Sequence, residues 1–191
     1  MMTSSPTVSK YTVDLKDHIR TVSGFPKEGI EFRDITSLLE NPLAFNTSLL
    51  DFTIEAYSFS ATKIIGIESR GFVFGAPLAR DLDLPFIMAR KPGKLPGNVY
   101  RKEYELEYGT ACLNIQCNTD IVPADKVVIM DDLIATGGTA LACADIVHTH
   151  FGVPKENILV LALINLPTLK GSAIIEEHGY GVNTLIEFEG H

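Results

Sequence analysis

The chain is poor in cysteine. It has three, Cys112, Cys117 and Cys143, and they form no CxxC pair and no metal-ligand spacing. An odd count with no secretory signal points to reduced thiols and a cytoplasmic protein, with the cysteines as core or strand residues. His148 and His150 are two apart in a helical stretch and project from different faces, so no metal pair is expected there. Long apolar runs are also missing. None approaches the roughly 20 residues of a membrane span. Positive charge is scarce, with 16 Lys and Arg against 24 Asp and Glu, a formal net charge of −8 and a pI near 5.1. That balance argues against a general nucleic-acid or membrane-surface binder. There is no internal repeat and no low-complexity segment.

What is present is enough for one well-packed core. A length of 191 residues with 46% hydrophobic content and a mean hydropathy of +0.16 suits a single domain over 1–191 and is short for two. Strand-like runs at Lys63 to Ile67, Pro85 to Ala89, Val127 to Met130 and Ile158 to Ile164 alternate with helical stretches at Leu43 to Tyr57, Phe74 to Asp81 and Ala140 to His150. This is the pattern of an α/β fold, a doubly wound, mostly parallel sheet flanked by helices. Residues Asp14 to Val22 also read as helical. Met1 to Ser9 is polar, has no apolar h-region, and is expected to be a frayed tail.

The most informative stretch is Val127-Val128-Ile129-Met130-Asp131-Asp132-Leu133-Ile134-Ala135-Thr136-Gly137-Gly138-Thr139. Four apolar residues, three of them Val or Ile, read as a strand covered on both faces. Two acids then emerge at its carboxyl edge. Thr136 to Thr139 follow with no bulky side chain to keep a phosphate from the backbone amides, and a helix begins. A helix N-terminus offers unpaired donors and a favourable dipole. The acids complicate this, because a carboxylate about 4 Å from a phosphate is repelled by roughly 4 kcal/mol at an effective dielectric of about 20. Something positive must compensate: a divalent metal carried by the ligand, hydroxyls that donate hydrogen bonds, or positive charge developing at a sugar carbon. All three occur together in ribosyl transfer from a pyrophosphate-activated ribose. The plainer alternative is an acidic turn followed by a helix cap. A P-loop is the nearer rival, but the G-x-x-x-x-G-K-[ST] lysine and spacing are absent.

An anionic substrate on an acidic chain needs a local cationic patch. Arg90, Lys91, Lys94, Arg101 and Lys102 supply one, in a segment that also holds Pro92, Gly93, Pro96 and Gly97. A charge run is commonly a solvated face. Here it follows a sheet strand directly, and its Pro and Gly content suggests a flexible basic loop over 90–103.

The Asp131 to Thr139 segment resembles the 5-phosphoribosyl 1-pyrophosphate (PRPP) motif of type I phosphoribosyltransferases. Four further stretches resemble the adenine-specific members of that family: Phe25 to Thr36 (FPKEGIEFRDIT), Glu68 to Gly75 (ESRGFVFG), Arg90 to Gly97 (RKPGKLPG) and Leu106 to Gly109 (LEYG). The likeness runs from about Leu15 to the C-terminus. It implies the type I phosphoribosyltransferase fold with a small hood region and a mobile loop, and a homodimer acting on adenine and PRPP. It further implies that Ala135, Thr136, Gly137, Gly138 and Thr139 hold the ribose 5-phosphate, with Asp131 and Asp132 on the ribose hydroxyls. Ser69, Arg70 and Lys91 or Lys94 would contact pyrophosphate, and the arginine matching Arg90 often acts across a dimer interface. Mg²⁺ would be bound mainly through PRPP or pyrophosphate, so no protein metal ligand is assigned.

By the same resemblance Glu107 is the base that takes the proton of adenine, Phe32 stacks on the adenine ring, and backbone groups of Glu31 and Arg33 read its edge. Glu31 departs from the family, where this position is usually apolar, and a solvent-facing side chain would reconcile the two. Read without the family, Arg70 is equally a structural ion-pair partner, Glu107 a solvated strand carboxylate, and Phe32 a core residue. Two other functions remain open at this point. One is transfer to hypoxanthine, guanine or xanthine. The other is a PRPP-sensing regulator, which would be expected to carry a basic nucleic-acid surface or an added DNA-binding module.

Overall fold

The computed structural model describes residues 13–106 and 109–190. In chain order its elements are β1 (Arg20–Ser23), β2 (Glu31–Asp34), α1 (Thr36–Leu39), α2 (Pro42–Phe59), β3 (Lys63–Ile67), α3 (Gly71–Asp81), β4 (Phe86–Ala89), β5 (Val99–Leu106), β6 (Gly109–Gln116), β7 (Val127–Ile134), α4 (Gly138–Phe151), β8 (Ile158–Asn165), α5 (Gly171–Glu177) and β9 (Gly181–Glu187). Five strands form the central sheet in the order β4-β3-β7-β8-β9, every pair parallel. Alternate residues of β7 feed two separate cores. Val128 and Met130 pack with Phe52 of α2 and Phe74 and Leu78 of α3. Val127 and Ile129 pack with Cys143 and Val147 of α4 and Ile175 of α5. The sheet is therefore covered on both faces, which is why its central strands are almost wholly apolar.

Local chemistry sets the helix ends. Asn41 Oδ1 accepts from the amides of Leu43 and Ala44, with Pro42 in the first turn, so α2 starts at a capped position. Gly152 closes α4 in the left-handed region at φ 73°.

Two antiparallel ribbons stand apart from the main sheet. In the first, β1 pairs with β2 and Val22 lies opposite Phe32. Asp14 to Val22 is thus not one helix: a 3-10 turn spans Leu15–His18 and the chain then enters β1. Strand pairing with β2 and the Arg20–Asp34 ion pair at 2.8 Å outweigh the local helical pattern. In the second ribbon β5 pairs with β6 along all eight residues of each strand, so residues 99–103 of the basic segment are strand rather than loop. Alternation explains it. Tyr100, Lys102 and Tyr104 share one face of β5 and lie along α4. Tyr100 stacks on His150 with ring centroids 4.3 Å apart, Lys102 Nζ meets Asp145 Oδ2 at 3.1 Å, and the hydroxyls of Tyr104 and Thr139 are 3.2 Å apart.

Candidate active site

The acids sit where the sheet opens. β7 is paired with β3 only as far as Met130, opposite Gly66, while its pairing with β8 continues to Ile134. The strand is therefore longer than the four apolar residues suggest, and Asp131 and Asp132 lie inside it, beside the gap left as β3 turns into α3. Gly71, the first residue of α3, lies against this point. A β-carbon there would overlap Met130 O and come within 3.2 Å of Asp131 Cα. The close approach places Arg70 beside Asp132, Nε to Oδ2 at 3.1 Å. The pair lacks hydrogen-bond alignment, and Oδ2 is buried without a hydrogen-bond partner. Burial raises the proton affinity of both carboxyls. Asp131 is pushed up by burial, with the Asp132 charge adding to it; Asp132 is raised by burial, with Arg70 opposing the rise. Together they favour the arrival of protons, hydroxyl donors or a cation.

Next along the chain is an anion cradle. Gly137 has φ +79° and a β-carbon on it would lie 2.7 Å from Gly171 O. Gly171 N in turn donates to Ala135 O at 3.1 Å. Two glycines in contact let the start of α5 brace the loop Ala135 to Gly138 from behind. The loop and Thr139 line a recess of about 130 Å³ shared with Asp131. The first turn of α4 above it carries no acidic residue, so its free amides suit an anion.

Beside the recess lies a cleft of about 920 Å³ bordered by Ser69, Arg70, Lys91, Tyr104, Asp131, Asp132 and Thr139. Asp131 and Thr139 belong to both spaces. Several residues expected at the site are thus brought together, and others are held elsewhere. Arg90 makes a two-pronged contact with Glu68 at 3.1 and 3.2 Å, and its Nη1 donates to Lys94 O. That guanidinium draws the Glu68 carboxyl below its ordinary range. The Lys94 side chain is exposed and does not border the cleft. Phe32 sits with its ring 5.4 Å from the Arg70 guanidinium carbon and edge-on to Phe25 at 5.0 Å. Glu31 is not simply solvent-facing: it accepts from Arg33 Nη2 at 2.7 Å. Glu107 lies outside the described residues.

Sequence reasoning assigned no role to Glu68, Tyr104 or Gly171. Tyr104 carried a signal, the every-second-residue aromatic and basic pattern of Tyr100, Lys102 and Tyr104. Gly171 carried none, because only the folded chain reveals its contact. Among the described residues no group of three or more His, Cys, Asp or Glu is placed to hold a metal. Asp131 and Asp132, whose Oδ2 faces Arg70 but accepts no hydrogen bond, suit an ion whose remaining ligands come with the substrate.

Comparison with known proteins agrees with this geometry. The family model described as the phosphoribosyl transferase domain matches residues 34–153. Adenine phosphoribosyltransferase of Yersinia enterocolitica is 42% identical over 191 residues, all of each chain. Adenine phosphoribosyltransferase of Thermoanaerobacter pseudethanolicus superposes with a TM-score of 0.83 at 40% identity, covering 92% of this chain and 98% of its own. The Giardia lamblia enzyme complexed with 9-deazaadenine gives 0.85 at 34% identity, covering 92% and 96%. With the type I fold, the acid pair and the glycine cradle all in place, this chain belongs to the phosphoribosyltransferase family, and within it to the adenine phosphoribosyltransferases.

Proposed function

We infer that this chain carries out the reaction for which its relatives are named, moving the 5-phosphoribosyl group of PRPP to N9 of adenine with release of AMP and pyrophosphate, a step of purine salvage. One observation supports the reading above the others: Asp131 borders both the small recess and the large cleft. In the proposed complex the 5-phosphate lies in the amide cradle of Ala135 to Thr139, and the ribose spans the acids. Asp131 and Asp132 accept hydrogen bonds from its 2- and 3-hydroxyls. As the bond from C1 to pyrophosphate breaks, positive charge grows on the ring, and two nearby carboxylates favour that state over the ground state. Ser69, Arg70 and Lys91 face the departing pyrophosphate, with Lys94 within reach once its loop folds inward. Mg²⁺, bound mainly through PRPP, would supply further neutralisation of pyrophosphate, and Asp131 and Asp132 would be the residues to help hold it.

The base lies on Phe32, between that ring and C1. Support comes from the contact of Phe32 with Arg70, which borders the cleft, and from the 9-deazaadenine held by the Giardia relative. Backbone groups of Glu31 and Arg33 read its edge, and Glu107 takes the proton from the purine. A homodimer is part of the proposal. Leu43, Leu50, Ile54 and Tyr57, more than half exposed, recur along one side of α2, and sedimentation velocity measures whether copies associate. For Arg90 to serve a partner's site it must first leave Glu68. A cytoplasmic setting fits three free thiols. No helix among the described residues is long and apolar enough to cross a membrane.

The test is direct. Purified protein is incubated with PRPP, Mg²⁺ and adenine, hypoxanthine, guanine or xanthine in turn, and products are separated by chromatography. AMP and pyrophosphate from adenine are expected. Nucleotide from another purine alone would reassign the base pocket, and saturable PRPP binding without any nucleotide would replace the enzyme by a sensor.

A further inference from the structure

The strand that presents Phe32 belongs to a two-stranded ribbon, separate from the main sheet. A lone ribbon is marginal in water, so its position must be imposed from outside. Side chains alternate along β2, which puts Phe32 on one face and Glu31 and Arg33 on the other. Arg33 is the contact on that second face. Its guanidinium is buried, the residue only 6% exposed, and binds its own strand and two other stretches of chain. Nη1 donates to Thr21 Oγ1 at 2.6 Å, and Nη2 donates to Glu31 Oε2 at 2.7 Å and to Glu189 O at 3.0 Å. The guanidinium carbon also lies 4.6 Å from the centroid of Phe188. Phe188 is itself anchored, since its amide donates to Asn165 O at the end of β8. A continuous line of contacts therefore runs from the central sheet through Phe188 and Glu189 to Arg33, and one peptide further to Phe32.

We propose that the segment Phe188 to Gly190 is the back support of the base-reading strand, with Arg33 as a positioning residue that sets how Phe32 and the neighbouring backbone meet the purine. Glu31 then has a purpose at a position where an apolar residue is expected: it is the counter-charge that keeps the Arg33 fork aimed at the C-terminal carbonyl. An arginine suits this task because its planar fork reaches acceptors from two nitrogens in fixed directions, where a lysine offers a single rotatable ammonium. The inference rests on the placement of adenine at Phe32 given above.

Steady-state kinetics separate the two ideas. Arg33→Met is expected to raise KM for adenine about tenfold, the worth of a buried charge-assisted hydrogen bond, while KM for PRPP and kcat stay within about twofold. Arg33→Lys should recover part of the loss, and a chain ending at Phe188 should reproduce it. If Arg33→Met does not fold, Glu31→Leu gives the same split at a smaller size, about threefold. Equal rises in both KM values together with a lower melting temperature would reduce Arg33 to a general structural role and overturn the proposal. So would an unchanged adenine KM in Arg33→Met when Phe32→Ala raises it. If Phe32→Ala itself leaves adenine KM alone, the base site is elsewhere, and that result is distinct from failure of the support.

Discussion

The two ends of the cleft are built in different ways. The phosphate and ribose end is one unbroken stretch of chain, Asp131 to Thr139, rooted in the central strand β7 and the first turn of α4. The base end is assembled from pieces far apart in sequence: Phe32 on a separate ribbon, Thr21 on its partner strand, and a C-terminal segment behind them. The first is rigid because its neighbours on both sides are sheet and helix. The second holds its geometry through a few side-chain contacts. Substitutions at the first should abolish chemistry, and substitutions at the second should retune affinity for one substrate.

The largest expected effect tests the first half of that statement. Asp131→Asn combined with Asp132→Asn keeps shape and removes the charge that answers the ribosyl cation. A loss of about a thousandfold in kcat/KM is expected from removing such transition-state contacts. Unchanged kcat/KM would show that the pair does not act on the sugar. Gly171→Ala comes next. The added methyl would overlap Ala135 O and lie 2.6 Å from Gly137 N, so the cradle must shift. A misplacement approaching 1 Å can cost about 100-fold, read here as kcat/KM for PRPP. An equal effect on adenine KM measured at saturating PRPP would blur the division between the two ends.

The unequal construction explains how much could be read from the sequence. The cradle was legible because strand, acids, small residues and helix follow one another without a break, and each leaves a local signal. β3, β4, β7 and β8 were legible for the same reason, as apolar runs bounded by turn residues. β1 was misread as helix because its identity comes from β2, eleven residues from Arg20 to Glu31 along the chain and opposite it in space. β7 was read short because two acids are poor strand residues until a neighbour such as β8 pairs with them. Arg33, Glu68 and Gly171 were visible as letters, but their partners, Glu189, Arg90 and Ala135, are set only by the fold.

A smaller effect sharpens the boundary between the ends. Tyr104→Phe removes the hydroxyl that meets Thr139 Oγ1 and so loosens the β5–β6 ribbon from the cradle. One neutral hydrogen bond is worth about 1 kcal/mol, or roughly a fivefold rise in KM for PRPP. The same rise in a Thr139→Ser background, where the hydroxyl remains, would confirm that the contact itself is what was lost. No change in either background would leave the ribbon held by its other contacts, Lys102 and Tyr100 on α4 and the backbone pair of Asn114 with Arg90.

The smallest effect contrasts the two ends through pH. Asp34 closes the base ribbon. Hydrogen bonds from Thr36 first, with the amide at 3.0 Å, and the Arg20 ion pair after them, lower its carboxyl from 3.8 to about 2. A depressed native pKa stabilises the fold above the unfolded value, and that contribution disappears as pH falls from about 4 toward 2. Asp131 and Asp132 have the opposite sign. Burial raises their proton affinity, so the native state is favoured when they are protonated and loses stability as pH climbs through their raised range. Thermal unfolding between pH 2 and pH 7, about the span over which carboxyls titrate, should therefore show Asp34→Asn less stable than the parent near neutrality and converging with it in acid. The Asp131→Asn, Asp132→Asn chain should do the reverse, gaining on the parent as pH rises. Parallel curves for both variants would mean that the acid pair is relieved of its burial by contacts other than Arg70, and that the two ends differ in architecture but not in electrostatic strain.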